Sequence, residues 1–176
     1  MYDESGEQGA VLLRRDLGRM SDPAQVWDAL RAMVRAANAV NADVYEAALR
    51  RVTDGELALQ IDAQIMAVYV VGWCVRSRVG KAADDTTIES YAEIIGGRLS
   101  RVGRAGVDEA RWLLRTIYRR PASDGPMPAD KLMVIGCAVA GIALGTSVDM
   151  LDTIEQPAID WYTTTWPVHV AREGST

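Results

Sequence analysis

Residues 132–145, LMVIGCAVAGIALG, carry no charged or polar side chain beyond one cysteine, and this run constrains the fold more than any other. Residues 65–75, IMAVYVVGWCV, have the same character. A helix that is apolar on every side is either buried in a protein interior or placed in a membrane. The chain has no apolar–polar alternation long enough to build a sheet. The expected fold is therefore all-α, a single-domain helical bundle of about six or seven helices with two largely buried apolar central helices. A length of 176 residues suits one such domain.

Around these two runs, amphipathic segments can be placed by their caps and periodicity. Residues 1–20 read as an N-terminal arm, residues 21–166 as the domain and residues 167–176 as a tail. Asp22 and Pro23 open a helix whose apolar face is Val26, Trp27, Leu30, Met33, Val34, Ala37 and Val40. Asn41 breaks that pattern, and Asp43 is the expected cap of a helix burying Val44, Tyr45, Ala48, Leu49 and Val52. Asp54-Gly55 marks a turn, and a long helix is expected from 56 to 78. Thr86 to Glu89 reads as a capping box before the face Ile88, Tyr91, Ala92, Ile95, Leu99 and Val102. A turn between Gly103 and Gly106 then leads to Val107, Ala110, Leu114, Ile117 and Tyr118, which makes residues 86–119 a helical hairpin. PASDGPMP (121–128) is a connecting loop, and Pro128 starts the apolar helix. A further helix after Thr146 or Ser147 should be limited or kinked by Pro157, with extended chain beyond Tyr162.

Composition narrows the function classes. The net charge is −5, which lacks the basic footprint of a nucleic-acid binder. Phe is absent and only Lys81 and Lys131 are lysines, a bias expected of a GC-rich bacterial genome; arginine count is thus weak evidence for phosphate binding. The acidic start MYDESGEQGA has no apolar signal core. Both apolar runs fall short of the ~18–20 residues of a membrane span. A cytoplasmic protein with no membrane contact is expected. Cys74 and Cys137 each lie in an apolar run and read as reduced core thiols, although two touching helices would also permit a disulfide.

Several constellations could carry function. Gly141 and Gly145, with Cys137 one turn earlier, form a small-residue strip that lets another backbone approach, either within the subunit or across a two-fold axis. Trp161 and Trp166 add an aromatic cluster suited to an interface. Asp84, Asp85, Glu89 and Glu93, together with Asp149 and Asp152, are spaced to offer carboxylates to a hard cation if the two groups meet. Acids near helix N-termini are equally explained by the helix dipole. Arg111, Arg115 and Arg119, four apart, form one stripe that could reach phosphates in a helix-turn-helix outline or simply face solvent. Asp62, Tyr69 and Trp73 could line a pocket, with Asp62 expected along the polar edge of its helix. His169, the lone histidine, has no partner histidine for a zinc site or triad, and no phosphate-binding glycine loop is present. The resulting expectation is a protein that acts by binding another protein, as a homodimer, with no cofactor and no catalytic set. A small-molecule or metal-dependent enzyme built on the acids, and a nucleic-acid regulator built on the arginines, are the alternatives.

Overall fold

A computed structural model describes residues 21–173, with side chains through Thr165. The arm of residues 1–20 and the end of the tail lie outside the described residues, as do the side chains of Trp166 and His169. The elements in chain order are α1 (Pro23–Asn38), α2 (Ala42–Thr53), α3 (Leu57–Val79), α4 (Asp85–Leu99), a 3-10 turn (Ser100–Val102), α5 (Val107–Ile117), α6 (Ala129–Leu144), a 3-10 segment (Gly145–Ile154) and α7 (Glu155–Glu173). The described residues contain no strand.

The two apolar runs lie at the centre. Every residue of α6 from Ile135 to Leu144 is buried, and α6 packs chiefly on α3 and α1. Its Gly136 faces the Val71 side chain of α3, and its Gly141 faces the backbone of α1 at Val34 and Asn38. In α3 the buried face is Ala63, Met66, Ala67, Val70, Val71, Cys74 and Val75, while Leu57 and Val68 remain exposed. One all-apolar helix is thus wrapped completely and the other on one side. By length and composition alone, α3 and the stretch Ala129–Thr165 would suffice to cross a membrane, contrary to the short runs expected; half and 61% of their apolar windows are packed inside the bundle.

Local chemistry fixes the helix ends. The Asp22 side chain accepts the Ala24 amide at 3.1 Å, with Pro23 in the first turn. α1 stops at Asn38, so Val40 lies past the helix with a positive φ of 52°. The cap of α2 is Asn41, whose side chain accepts the Asp43 and Val44 amides; Asp43 falls in the first turn, and Val44 is exposed rather than core. The cap of α4 is Asp84, two residues before the expected box, because its carboxylate reaches the Thr87 amide at 2.7 Å. The α4–α5 hairpin forms as expected, with Gly96 allowing the Val107 backbone to sit directly against α4. Pro157 does not end a helix: it falls in the first turn of α7, where no amide hydrogen bond is needed, and α7 runs helical through Glu173 instead of becoming extended after Tyr162.

Candidate functional site

The acidic groups and the arginine stripe, read separately from the sequence, are brought together by the hairpin. Arg111 Nε lies 2.6 Å from Glu89, and the same guanidinium is 2.5 Å from Asp108 and 3.9 Å from Glu93. Arg115 reaches Glu89 at 3.2 Å and Asp85 at 3.8 Å. Arg111, then Arg115, hold the Glu89 carboxyl below its ordinary pKa. Asp84 is held low by hydrogen bonds from Thr87. Arg119 does not extend the stripe, because α5 ends at Ile117 and Arg119 sits beyond it with φ 53°. The helix-turn-helix outline therefore presents no row of three arginines to a phosphate backbone.

The second acidic group meets arginines as well. Asp149 and Asp152 lie three apart in a 3-10 segment, whose three-residue turn stacks them on one side. Arg35 bridges them at 3.3 and 2.9 Å, and Arg31 reaches Asp152 at 2.6 Å. Arg31 is the first cause of the lowered Asp152 pKa. Among the described residues no three acids, histidines or cysteines converge as a metal site, so the two acidic groups do not meet around a cation.

The small-residue strip faces inward. A Cβ on Gly141 would stand 2.2 Å from the Val34 carbonyl oxygen and 2.9 Å from the Asn38 amide. Asn38 donates its side-chain amide to the Gly141 and Gly145 carbonyls at 2.9 and 2.8 Å. Gly141 thus makes the α1–α6 crossing within one chain, while Gly145 ends α6 with a positive φ of 53° and open space where a Cβ would stand. Cys137 is fully buried beside Cys74, and both thiols are free. Burial pushes Cys74 up to about 12 and Cys137 higher still, which makes both poor nucleophiles. Trp161 is half-buried, its ring 5.5 Å from that of Tyr69 on α3.

Asp62, Tyr69 and Trp73, the residues expected to line a pocket, do not line the cleft between α3, α5 and α6. Asp62 is fully buried, not on a polar edge, and its Oδ2 accepts the Ser21 amide at 2.8 Å. Tyr69 and Trp73 are half-buried against the core. An open cleft of about 600 Å³ lies between the first half of α3, the start of α5 and the start of α6. Gln60 and Gln64, Asp108 and Glu109, Trp112, Asp124, Asp130 and Lys131 give it its chemistry. The Gln60 amide closes the α2–α3 turn on the Thr53 and Gly55 carbonyls, both at 3.0 Å. Glu109 accepts the Gly106 amide at 2.8 Å and caps α5. Arg104 pairs with Glu46 of α2. The Trp112 indole donates to the Gly125 carbonyl at 2.6 Å, which fixes the ring, and Lys131 Nζ lies 5.2 Å over its face.

Once Glu109, Arg104 and the Arg111-paired Asp108 are assigned to these internal bonds, Asp124 and Asp130 border the cleft against Lys131. The cleft is thus an acidic rim around an aromatic face that already accepts a cation. Sequence reasoning missed it because its residues come from four separated segments. One signal was present: Lys131 is one of two lysines in an arginine-rich chain.

The chain matches no protein-family model, no curated protein and no solved structure.

Proposed function

We propose that this protein works in the cytoplasm by binding another protein, and that the cleft between α3, α5 and α6 receives a basic side chain of that partner. The observation that carries the reading is Trp112, locked edge-on by Gly125 and stacked against an ammonium group within a rim richer in carboxylates than in cations. An incoming Arg or Lys takes the place of Lys131 over the indole, where a cation over an aromatic face is stabilised by about 0.5–2 kcal/mol. Asp124 and Asp130 then supply the long-range attraction. Binding rather than catalysis is further supported by the thiols, which burial renders inert, and by acids that arginines neutralise. The homodimer reading loses Gly141 as its support, since α1 covers it. A cleft of this volume also falls in the range of small-ligand sites, which makes a small amine the second reading.

The test is a titration of isotope-labelled protein with a hexa-arginine peptide, a hexa-glutamate peptide and a polyamine, followed by NMR. The expected result is a shift of the Trp112 indole N–H and the Asp130 amide with hexa-arginine alone, weakened by salt and removed by Trp112→Ala. Equal shifts with the polyamine favour the small-ligand reading. Shifts with hexa-glutamate, or none at Trp112 with any probe, overturn the cleft as a cation site.

A further inference from the structure

The cleft between α3, α5 and α6 already holds a cation of its own. Lys131 Nζ lies 5.2 Å over the Trp112 ring, whose indole N–H donates to the Gly125 carbonyl at 2.6 Å. Arg104, which also lines the cleft, is tied to Glu46, whereas the exposed Lys131 makes no ion pair among the described residues. Lys131 is the third residue of α6, whose start has no side-chain cap. The helix dipole opposes a positive charge at that end. The ammonium is therefore drawn by the indole face and by Asp124 and Asp130, not by the backbone of α6.

A ligand that uses this face must displace Lys131, and the exchange is not equal for all cations. An incoming lysine trades one ammonium over the indole for another. It gains nothing at the ring, and the tethered Lys131 returns at high effective concentration. An incoming arginine gains on both counts. Its planar guanidinium stacks flat on an indole, and its fork of donors can hold a carboxylate by two bonds at once. Asp124 and Asp130 are the carboxylates at hand. A guanidinium is also less strongly hydrated than an ammonium, so it leaves water at less cost. The residue at this place is a lysine in a chain whose other basic residues, Lys81 apart, are arginines. An arginine at 131 would cover the indole with the better-fitting group and leave an incoming one with nothing to gain.

We propose, resting on the cation-binding reading of the cleft, that Lys131 is a specificity-determining residue. As the resident cation on Trp112 it turns away lysine side chains and small amines and admits an arginine side chain of the partner. The group that the cleft recognises is then a guanidinium, stacked on Trp112 and bonded to an aspartate of the rim.

Calorimetric titration of the full chain with hexa-arginine and with hexa-lysine tests the exchange. The unaltered chain should bind hexa-arginine about tenfold more tightly than hexa-lysine. Lys131→Met keeps the stem and removes the resident ammonium. It should tighten hexa-lysine about tenfold and hexa-arginine only about threefold, so that the preference narrows to about threefold. Lys131→Arg keeps the net charge and should weaken both peptides by about threefold. Three results overturn the proposal. In the first, the unaltered chain binds the two peptides equally. In the second, Lys131→Met tightens both by the same factor and Lys131→Arg changes neither, which is the signature of overall charge alone. In the third, Lys131→Met weakens binding, which makes Lys131 a contact of the ligand. In each of these cases, loss of hexa-arginine binding in Trp112→Ala leaves the cleft standing as a cation site. Hexa-arginine binding that survives Trp112→Ala, or no binding by any of these chains, overturns both.

Discussion

The α1–α6 crossing and the α4–α5 hairpin are both close helix–helix contacts, yet they are held by opposite means. At the first, Gly141 brings two backbones together, Asn38 bonds across to two carbonyls, and no ion takes part. At the second, an apolar seam of Ile88, Ala92, Ile95, Ala110, Leu113 and Leu114 is edged by Glu89, Arg111 and Arg115 in partial contact with water. The features that looked most like an interface form the core crossing, and those that looked most like chemistry form the edge of a hairpin. A pattern on one helix acquires its meaning from the helix that faces it.

The largest effect is expected where no neighbour can yield. Gly141→Val puts a Cβ into the Val34 carbonyl and the Asn38 amide, which belong to helical backbone. Overpacking of a buried crossing usually costs about 1–3 kcal/mol, and a backbone clash places this variant at or above that range, near 3–5 kcal/mol. Urea unfolding should show a strongly reduced midpoint or no folded protein. A midpoint within experimental error of the parent would show that α1 does not press on α6. Asn38→Ala comes next. It removes two hydrogen bonds and leaves the Gly141 and Gly145 carbonyls without them, at a cost of about 1–3 kcal/mol by the same measurement. Gly136→Ala is milder, because its Cβ would meet the Val71 methyl groups at 2.9 and 3.0 Å rather than backbone. The gain of alanine over glycine in a helix offsets part of the crowding, for a net loss of about 1 kcal/mol. If Gly136→Ala proved worse than Gly141→Val, the ranking of the two faces of α6 would be reversed.

The all-α fold with two central apolar helices was legible because helix periodicity and uninterrupted apolar runs are local signals. Asp22, Pro23 and the hairpin turn were legible for the same reason. The misreadings share one cause. Asp43, Thr86 and Pro157 each satisfy a local rule, but Asn41, Asp84 and Glu155 start their helices two residues earlier, where the carboxamide or carboxylate reaches the amides or where proline fits the first turn. Asp62 is polar in a segment that only becomes fully apolar later, so an edge position was reasonable; the Ser21 amide that accompanies its burial is forty-one residues away. The cleft was invisible because Gln64, Trp112, Asp124 and Lys131 share no helix and no spacing.

The smallest effect sharpens the comparison through pH. Glu89 bonds to Arg111 and Arg115, and both depress its pKa in the folded state. A carboxyl with a depressed folded pKa adds stability that is complete above the pH range in which the unfolded chain titrates. That contribution fades as pH falls through this range and is gone once the folded-state carboxyl is also protonated. Glu89→Gln should therefore lower stability near neutral pH and match the parent in acid. The side chain is 40% exposed, so solvent screening keeps the loss below about 1 kcal/mol. The Gly141→Val deficit involves no titrating group and should keep its size across the same pH series. Urea midpoints measured from neutral pH down through the carboxylate range distinguish the two behaviours. A Glu89→Gln deficit that persisted undiminished in acid would mean that the hairpin edge is held by packing, as the α1–α6 crossing is, and not by charge.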